Sequence, residues 1–155
     1  EDKQVTDVDD LGRPADTFHL ETTLSGAPRI REIAGAVHQN GGKVISCVNF
    51  TLAWMVGNVE PYSDALLAGF DTCTDALLDV ILGICRPSGR LPITLPKNDA
   101  VLAVDKDGVC VSHNDVPGFV KDRYMPDSMK DENGKAYAYR DEMGNYYEMD
   151  FGLSC

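Results

Sequence analysis

The sequence predicts an α/β protein: an open, mostly parallel sheet flanked by helices, followed by a long irregular C-terminal segment. Three observations lead there. An amphipathic helical pattern begins at Pro28 and ends at Gly41-Gly42. Two short apolar runs, Lys43 to Phe50 and Asp64 to Phe70, have the length and continuity of strands in a parallel sheet covered on both faces. A second helical pattern, from Thr72 to about Leu82, then leads into a proline-bounded strand around Leu91 to Leu95. Helix, strand, strand, helix, strand in that order argues an open α/β sheet, with right-handed crossovers between its parallel strands.

Residues 1–27 are polar and acidic. Asp7, Asp9 and Asp10 precede Gly12 and Pro14, a composition that predicts a loop-rich opening segment. Pro28 suits the first position of a helix, and Ile30, Ile33, Ala34 and Val37 share one face of it. His38 falls in the last turn, where positive charge is favoured. Between Thr51 and Val59 the pattern is ambiguous, consistent with one helical turn holding Trp54 and Met55. Thr72 is placed to cap the second helix, whose core stripe is Ala76, Leu77, Val80 and Ile81, and Gly83 stops it. Beyond Pro96, Asp105-Lys106-Asp107-Gly108 and Asp131-Glu132-Asn133-Gly134 are turn formers, with tyrosines scattered through a charged segment. No internal repeat is evident. The division expected is one domain over 1–155: an opening segment 1–27, an α/β core 28–96, and an irregular segment 97–155 packed on that core.

A chain of 155 residues is one domain's worth. It can bury roughly two-thirds of its unfolded surface. The net charge of −11 argues against binding nucleic-acid phosphates and against anionic membrane surfaces. The one long apolar stretch, Ala65 to Ile84, is broken by Asp71, Asp75 and Asp79 and is no membrane span. Five cysteines (Cys47, Cys73, Cys85, Cys110, Cys155) form no C-x-x-C pair. Three of them sit in apolar runs, which predicts free buried thiols and a reducing compartment such as the bacterial cytoplasm.

Several chemistries fail on spacing. The loops at Asp7 and Asp105 carry Phe18 and Val116 where a calcium loop needs glutamate. His19, His38 and His113 have no partner at zinc-ligand spacing. There is no G-x-S-x-G nucleophile turn and no G-x-G-x-x-G phosphate loop, and no cofactor is expected. Asn49-Phe50-Thr51 matches a glycosylation acceptor, but at the end of a strand expected to be buried. The turn Gly69-Phe70-Asp71-Thr72 lies where a strand's carboxyl end enters a helix, the place where open α/β sheets bind ligands. That makes Asp71 and Thr72 candidate substrate-binding residues, beside their simpler use as helix caps.

The most specific stretch is Arg86-Pro87-Ser88-Gly89-Arg90-Leu91-Pro92-Ile93-Thr94-Leu95-Pro96, taken with the closing Phe151-Gly152-Leu153-Ser154-Cys155. A Pro-Ser-Gly-Arg turn feeds a strand whose Leu91 and Leu95 precede prolines and are held extended. By itself this is a structural hinge, with an arginine suited to bonding loop carbonyls from a buried position. Together the two pieces resemble the closing half of the α/β sandwich domain of glycoside hydrolase family 3, in its bacterial β-glucosidase-like members. The resemblance covers about residues 25 to 155 and implies a flavodoxin-like sandwich forming one wall of a sugar cleft. It implies retaining hydrolysis of a β-linked sugar without a cofactor, when joined to a (β/α)₈ barrel that carries the nucleophilic aspartate. It also implies a glutamate acid/base early in the domain, and Glu21, after Asp16-Thr17-Phe18-His19-Leu20, is the candidate. In that family the turn at Gly69–Thr72 is glycine-rich and close to the sugar, whereas here the extra glycines are absent. With no barrel matched, the isolated chain is expected to be inactive. The alternative is a stand-alone binding domain that assembles with copies of itself through an exposed sheet edge.

Overall fold

The structure is a computed structural model. It describes residues 2–8, 14–22, 24, 26–103 and 115–152, the first two stretches as backbone. The elements are β1 (Asp2–Val8), β2 (Pro14–Thr22), α1 (Ala27–Gln39), β3 (Ile45–Asn49), β4 (Ala65–Gly69), α2 (Thr74–Ile81) and α3 (Asp99–Ala103). β3 and β4 pair in parallel, with Ile45 opposite Ala65 and Asn49 opposite Gly69. This small parallel sheet with its helices is an α/β arrangement.

The opening segment corrects the expectation of a loop. β1 and β2 form an antiparallel pair, Asp2 opposite Thr22, with a register shift between Thr6 and Val8. Val5, Thr6 and Val8 in β1 and Thr17, Phe18 and Thr22 in β2 favour strands. The turn-forming residues Asp9 to Arg13, which suggested loop, lie outside the described residues and only between the two strands. α3 lies alongside β2.

α1 forms where its periodicity placed it, with proline in its first turn. Its chain reversal uses Gly41 at φ +73°, a left-handed conformation that glycine takes without strain. His38 and Lys43 then converge on Asp64, at 2.8 and 2.7 Å, and the Val44 N–H donates to the same carboxylate at 2.8 Å. These three donors, Lys43 foremost, hold the Asp64 carboxyl well below the usual carboxylate range. The cluster ties the end of α1 to the start of β4.

The parallel strands are not covered on both faces. β3 alternates, with Ser46 and Val48 buried and Ile45, Cys47 and Asn49 exposed. In β4 only Gly69 is buried; Leu66 and Leu67 are half-buried and Ala65 and Ala68 exposed. The continuous apolar run therefore overstated the burial, because only the Val48 side meets a core. That core gathers Ala27, Val48, Phe50, Val56, Val59, Leu95, Tyr139 and Tyr147. α2 departs further: it buries none of its residues, and of the expected core stripe Leu77 and Val80 are half-buried while Ala76 and Ile81 are exposed. Leu82 and Ile84 beyond it are 69% and 71% exposed. Cys47, Cys73 and Cys85 are free as expected, but exposed rather than buried, because they sit on these open faces.

Leu91 to Leu95 forms no ladder strand. It bends at Pro92 and Ile93 and bonds the C-terminal segment through the backbone of Leu91 and Leu95. The Leu95 N–H donates to the Tyr147 carbonyl (2.9 Å), the Tyr139 N–H to the Leu95 carbonyl (2.8 Å), and Pro96 bridges Ala138. Pro92 and Pro96 have no N–H, which denies a regular ladder here. Residues 115–152 are irregular with tight turns, and they contain a short repeat that composition alone did not reveal. D-E-x-G-x-x-Y occurs at Asp131–Tyr137 and again at Asp141–Tyr147. In both copies the aspartate carboxylate accepts the N–H four residues on, from Lys135 or Asn145. Gly134 and Gly144 take positive φ. Each copy delivers a buried tyrosine to a different core: Tyr147 to the one above, Tyr137 to a second with Val101, Met125 and Ala136.

Candidate functional site

The carboxyl end of the β3–β4 sheet holds Asp71 and Thr72. Asp71 sits at φ +53°, a left-handed position that aspartate tolerates better than most residues. Its N–H donates to Asn49 Oδ1 at 2.8 Å, and Asn49 Nδ2 donates back to Asp71 Oδ1 at 3.3 Å. This reciprocal pair clips the ends of the two strands together. Phe50 and Phe70 stack beside it, centroids 5.7 Å apart. Asp71 is exposed and keeps acceptor capacity for a ligand hydroxyl.

Thr72 does not cap α2. The helix starts at Thr74 with Cys73 at the cap, and Thr72 Oγ1 instead accepts the Phe70 N–H at 3.3 Å. The hydroxyl braces the turn and leaves Thr72 itself exposed. Asn49 and Thr51 are both exposed, contrary to the expectation for that strand end, though the Asn49 amide is engaged by Asp71. Glu21 stands elsewhere. Its backbone is in β2 opposite Lys3, in the antiparallel hairpin rather than in the sheet that carries Asp71; its side chain lies outside the described residues.

The two stretches that define the hinge and the chain's end meet. The Leu91 N–H donates to the Phe151 carbonyl at 2.8 Å, and the Asp150 N–H to the Leu91 carbonyl at 2.8 Å. Arg90 is exposed, not buried, but it does bond a loop carbonyl, donating from Nη1 to Asp150 O at 3.1 Å. Gly152 fits because a Cβ there would come within 3.0 Å of the Gly89 carbonyl oxygen. Sixty residues apart in sequence, these pieces form one clasp beside the first core.

A cavity of about 220 Å³ with a mixed polar and apolar lining opens beside Thr94. Its inner end is built on Lys121, 7% exposed, whose ammonium lies 3.1 Å from Asp115 Oδ1 and 4.1 Å above the centre of the Tyr137 ring. Asp115 Oδ2 accepts the Thr94 N–H at 2.7 Å. Burial opposes ionisation of both partners: it pulls the Lys121 ammonium down, while the Thr94 bonds and Lys121 overcome it at Asp115 and hold that carboxyl low. The outer end is more open. Lys135 Nζ lies 2.5 Å from Glu148 Oε1, which raises the Lys135 ammonium, and 3.7 Å from Asp122 Oδ2. Asp122 Oδ1 is occupied by the N–H groups of Ala136 and Tyr137 at 2.8 and 3.0 Å. None of these cavity residues stands out in the sequence. Asp115, Asp122 and Glu148 look like solvated charges, and only the turn at Asp131 signals that Lys135 is delivered to a fixed place.

Among the described residues, no group of three or more His, Cys, Asp or Glu side chains is placed to hold a metal ion. No helix among them is long and apolar enough to cross a membrane.

Beta-glucosidase C of Emericella nidulans is 37% identical to this chain over 54 residues, which is 34% of the chain and 9% of the relative. The chain thus matches less than a tenth of that protein's length. No family model matches the chain, and no solved structure matches it. A stretch of the chain is therefore similar to part of a glycoside hydrolase, and a match of that extent assigns no family.

Proposed function

We propose that this chain is the closing part of the α/β sandwich domain of a retaining, β-glucosidase-like glycoside hydrolase of family 3, forming one wall of the sugar cleft. The observation that carries this reading is the clasp. The hinge Arg86–Pro96 and the terminal Phe151-Gly152, which together prompted the resemblance, are hydrogen-bonded to one another through Leu91, Asp150 and Arg90. The similarity to a fungal β-glucosidase supports the same substrate class. Asp71, exposed at the sheet's carboxyl end, is the residue assigned to contact the sugar, with Thr72 bracing its turn. Glu21 is the remaining acid/base candidate. A covalent glycosyl-enzyme requires a second carboxylate about 5 Å from the first, and in this reading the barrel supplies it. The chain alone is then inert. Intact-mass measurement of the native gene product, with an aryl β-glucoside assay, tests this. A longer product that turns over the glycoside, and loses turnover on Asp71→Ala, supports the reading. Turnover by the 155-residue chain by itself overturns it.

A second reading, assembly of copies through the open sheet, is favoured by one observation. α2 buries no residue, Leu78, Ile81, Leu82 and Ile84 leave an apolar surface there, and among the described residues the β3–β4 sheet has only two strands. Light scattering decides it. A dimer that Leu82→Ser and Ile84→Ser convert to monomer supports self-assembly, and a monomeric wild-type chain rejects it.

A further inference from the structure

We propose that the cavity between the Thr94 stretch and the Lys121 and Lys135 turns is a binding site for a single neutral, hydroxyl-rich ring of monosaccharide size, distinct from the Asp71 end of the sheet. Its volume, about 220 Å³, falls below the roughly 300–1,000 Å³ of sites that take drug-sized ligands, which leaves room for one ring. The lining selects the chemistry. Among the described lining residues, Asp115, Asp122 and Glu148 against Lys121 and Lys135 leave one net negative charge, which does not favour an anion. A wholly apolar ligand would strip water from these groups without replacing its hydrogen bonds. A polyol offers both donors and acceptors, and Phe119 and Val120 give its C–H face an apolar side to lie against.

The outer ion group has a place for a hydroxyl. Asp122 Oδ1 is spent on two backbone N–H groups, while Oδ2 stands 3.7 Å from Lys135 Nζ, beyond hydrogen-bond distance. A hydroxyl lying beside this gap donates to Oδ2 and accepts from the ammonium. The inner pair, Asp115 and Lys121 on Tyr137, fixes the depth to which the ring enters. The site is also preorganised. Asp122 is fixed by the backbone and Asp115 by the Thr94 N–H, so little side-chain freedom is lost on binding.

The choice of a sugar as probe rests on the glycosidase reading; the cavity's geometry does not. The test is an amide NMR titration of the isotope-labelled full chain with D-glucose, and separately with inorganic phosphate. The expected result is a saturable shift of amides 119–122 and 135–138 with glucose, and none with phosphate. Lys135→Met keeps the side chain's length and removes its charge, and it should weaken glucose binding about tenfold or more, the worth of one charged hydrogen bond. Glu148→Gln, at the more exposed end, is the second variant should Lys135→Met fail to give a folded spectrum; it should weaken binding severalfold. Unsaturable glucose shifts, shifts confined to residues around Asp71, a preference for phosphate, or unchanged affinity in a folded variant would each overturn the proposal. The readout needs no turnover. Loss of the cavity signals overturns this site alone, and an inactive long native product overturns the glycosidase reading alone.

Discussion

Removing the Asp122 carboxylate should cost the fold a large share of its stability. Asp122 Oδ1 receives two backbone N–H groups, from Ala136 at 2.8 Å and Tyr137 at 3.0 Å. Those residues are 1% and 2% exposed, so bulk water cannot replace the acceptor. A buried donor left without a partner costs about 1–3 kcal/mol, so Asp122→Ala should lose about 2–6 kcal/mol. The lower end applies if a water molecule moves in from the adjoining cavity. The ion pair with Lys135 at 3.7 Å adds little, about 0–1 kcal/mol for a pair this open. Asp122→Asn retains a carbonyl oxygen for both donors and loses only the charge. Its cost should be about 1–2 kcal/mol, the difference between charged and neutral acceptors over two bonds. Urea unfolding followed by circular dichroism measures both, with the denaturant slope checked for constancy. Against a domain stability of roughly 5–15 kcal/mol, the alanine variant should show a plainly lower midpoint. If alanine costs under about 0.5 kcal/mol, or asparagine costs as much as alanine, the two-donor account is wrong.

Leu95, 1% exposed between the hinge and the tyrosines of the C-terminal segment, should lose about 2–5 kcal/mol on truncation to alanine in the same assay. Tyr137, Tyr139 and Tyr147 are held neutral above the ordinary phenol value, chiefly by burial, with Glu60 adding to the effect at Tyr139 and Tyr147. Their raised folded values mean that stability is intact below the unfolded value of about 10 and falls as pH rises beyond it. An ultraviolet tyrosine titration should therefore show a late group that ionises together with loss of structure. Asp64 works in the opposite direction: its lowered carboxyl stabilises the fold above the unfolded value of about 4 and ceases to do so as acid protonates it. Asp64→Asn should flatten that acid limb in a pH series of thermal melts. Cys47, Cys73 and Cys85 should react promptly with a thiol reagent in the native state, giving at least three labels by mass, because all three are exposed.

Local chemistry alone was enough for the chain's punctuation. Pro28 and Gly41-Gly42 bound α1, Gly83 follows α2 at positive φ, and the apolar runs at Val44–Val48 and Ala65–Ala68 became the paired strands. Proline, glycine and helical periodicity act over a few residues, so they survive without knowledge of neighbours. Burial did not follow from the same patterns. A parallel strand and an amphipathic helix carry the same apolar residues whether or not another layer covers them. Only the tertiary structure shows that α2 is open and that β3 is covered on one side. The opening antiparallel pair was obscured because acidic residues, glycine and proline dominated the composition there while the strand formers were sparse. Asp71 was placed at the sheet's end by the order of strand and helix, but its partner Asn49 is 22 residues away and joins it only through parallel pairing. The cavity is the least local feature. Thr94, Asp115, Lys121, Lys135 and Glu148 come from separate turns, and each looks in sequence like an ordinary surface residue. Tertiary packing sets the buried Lys121 ammonium over the Tyr137 ring and beside Asp115, and it is this burial that makes a counter-charge there necessary.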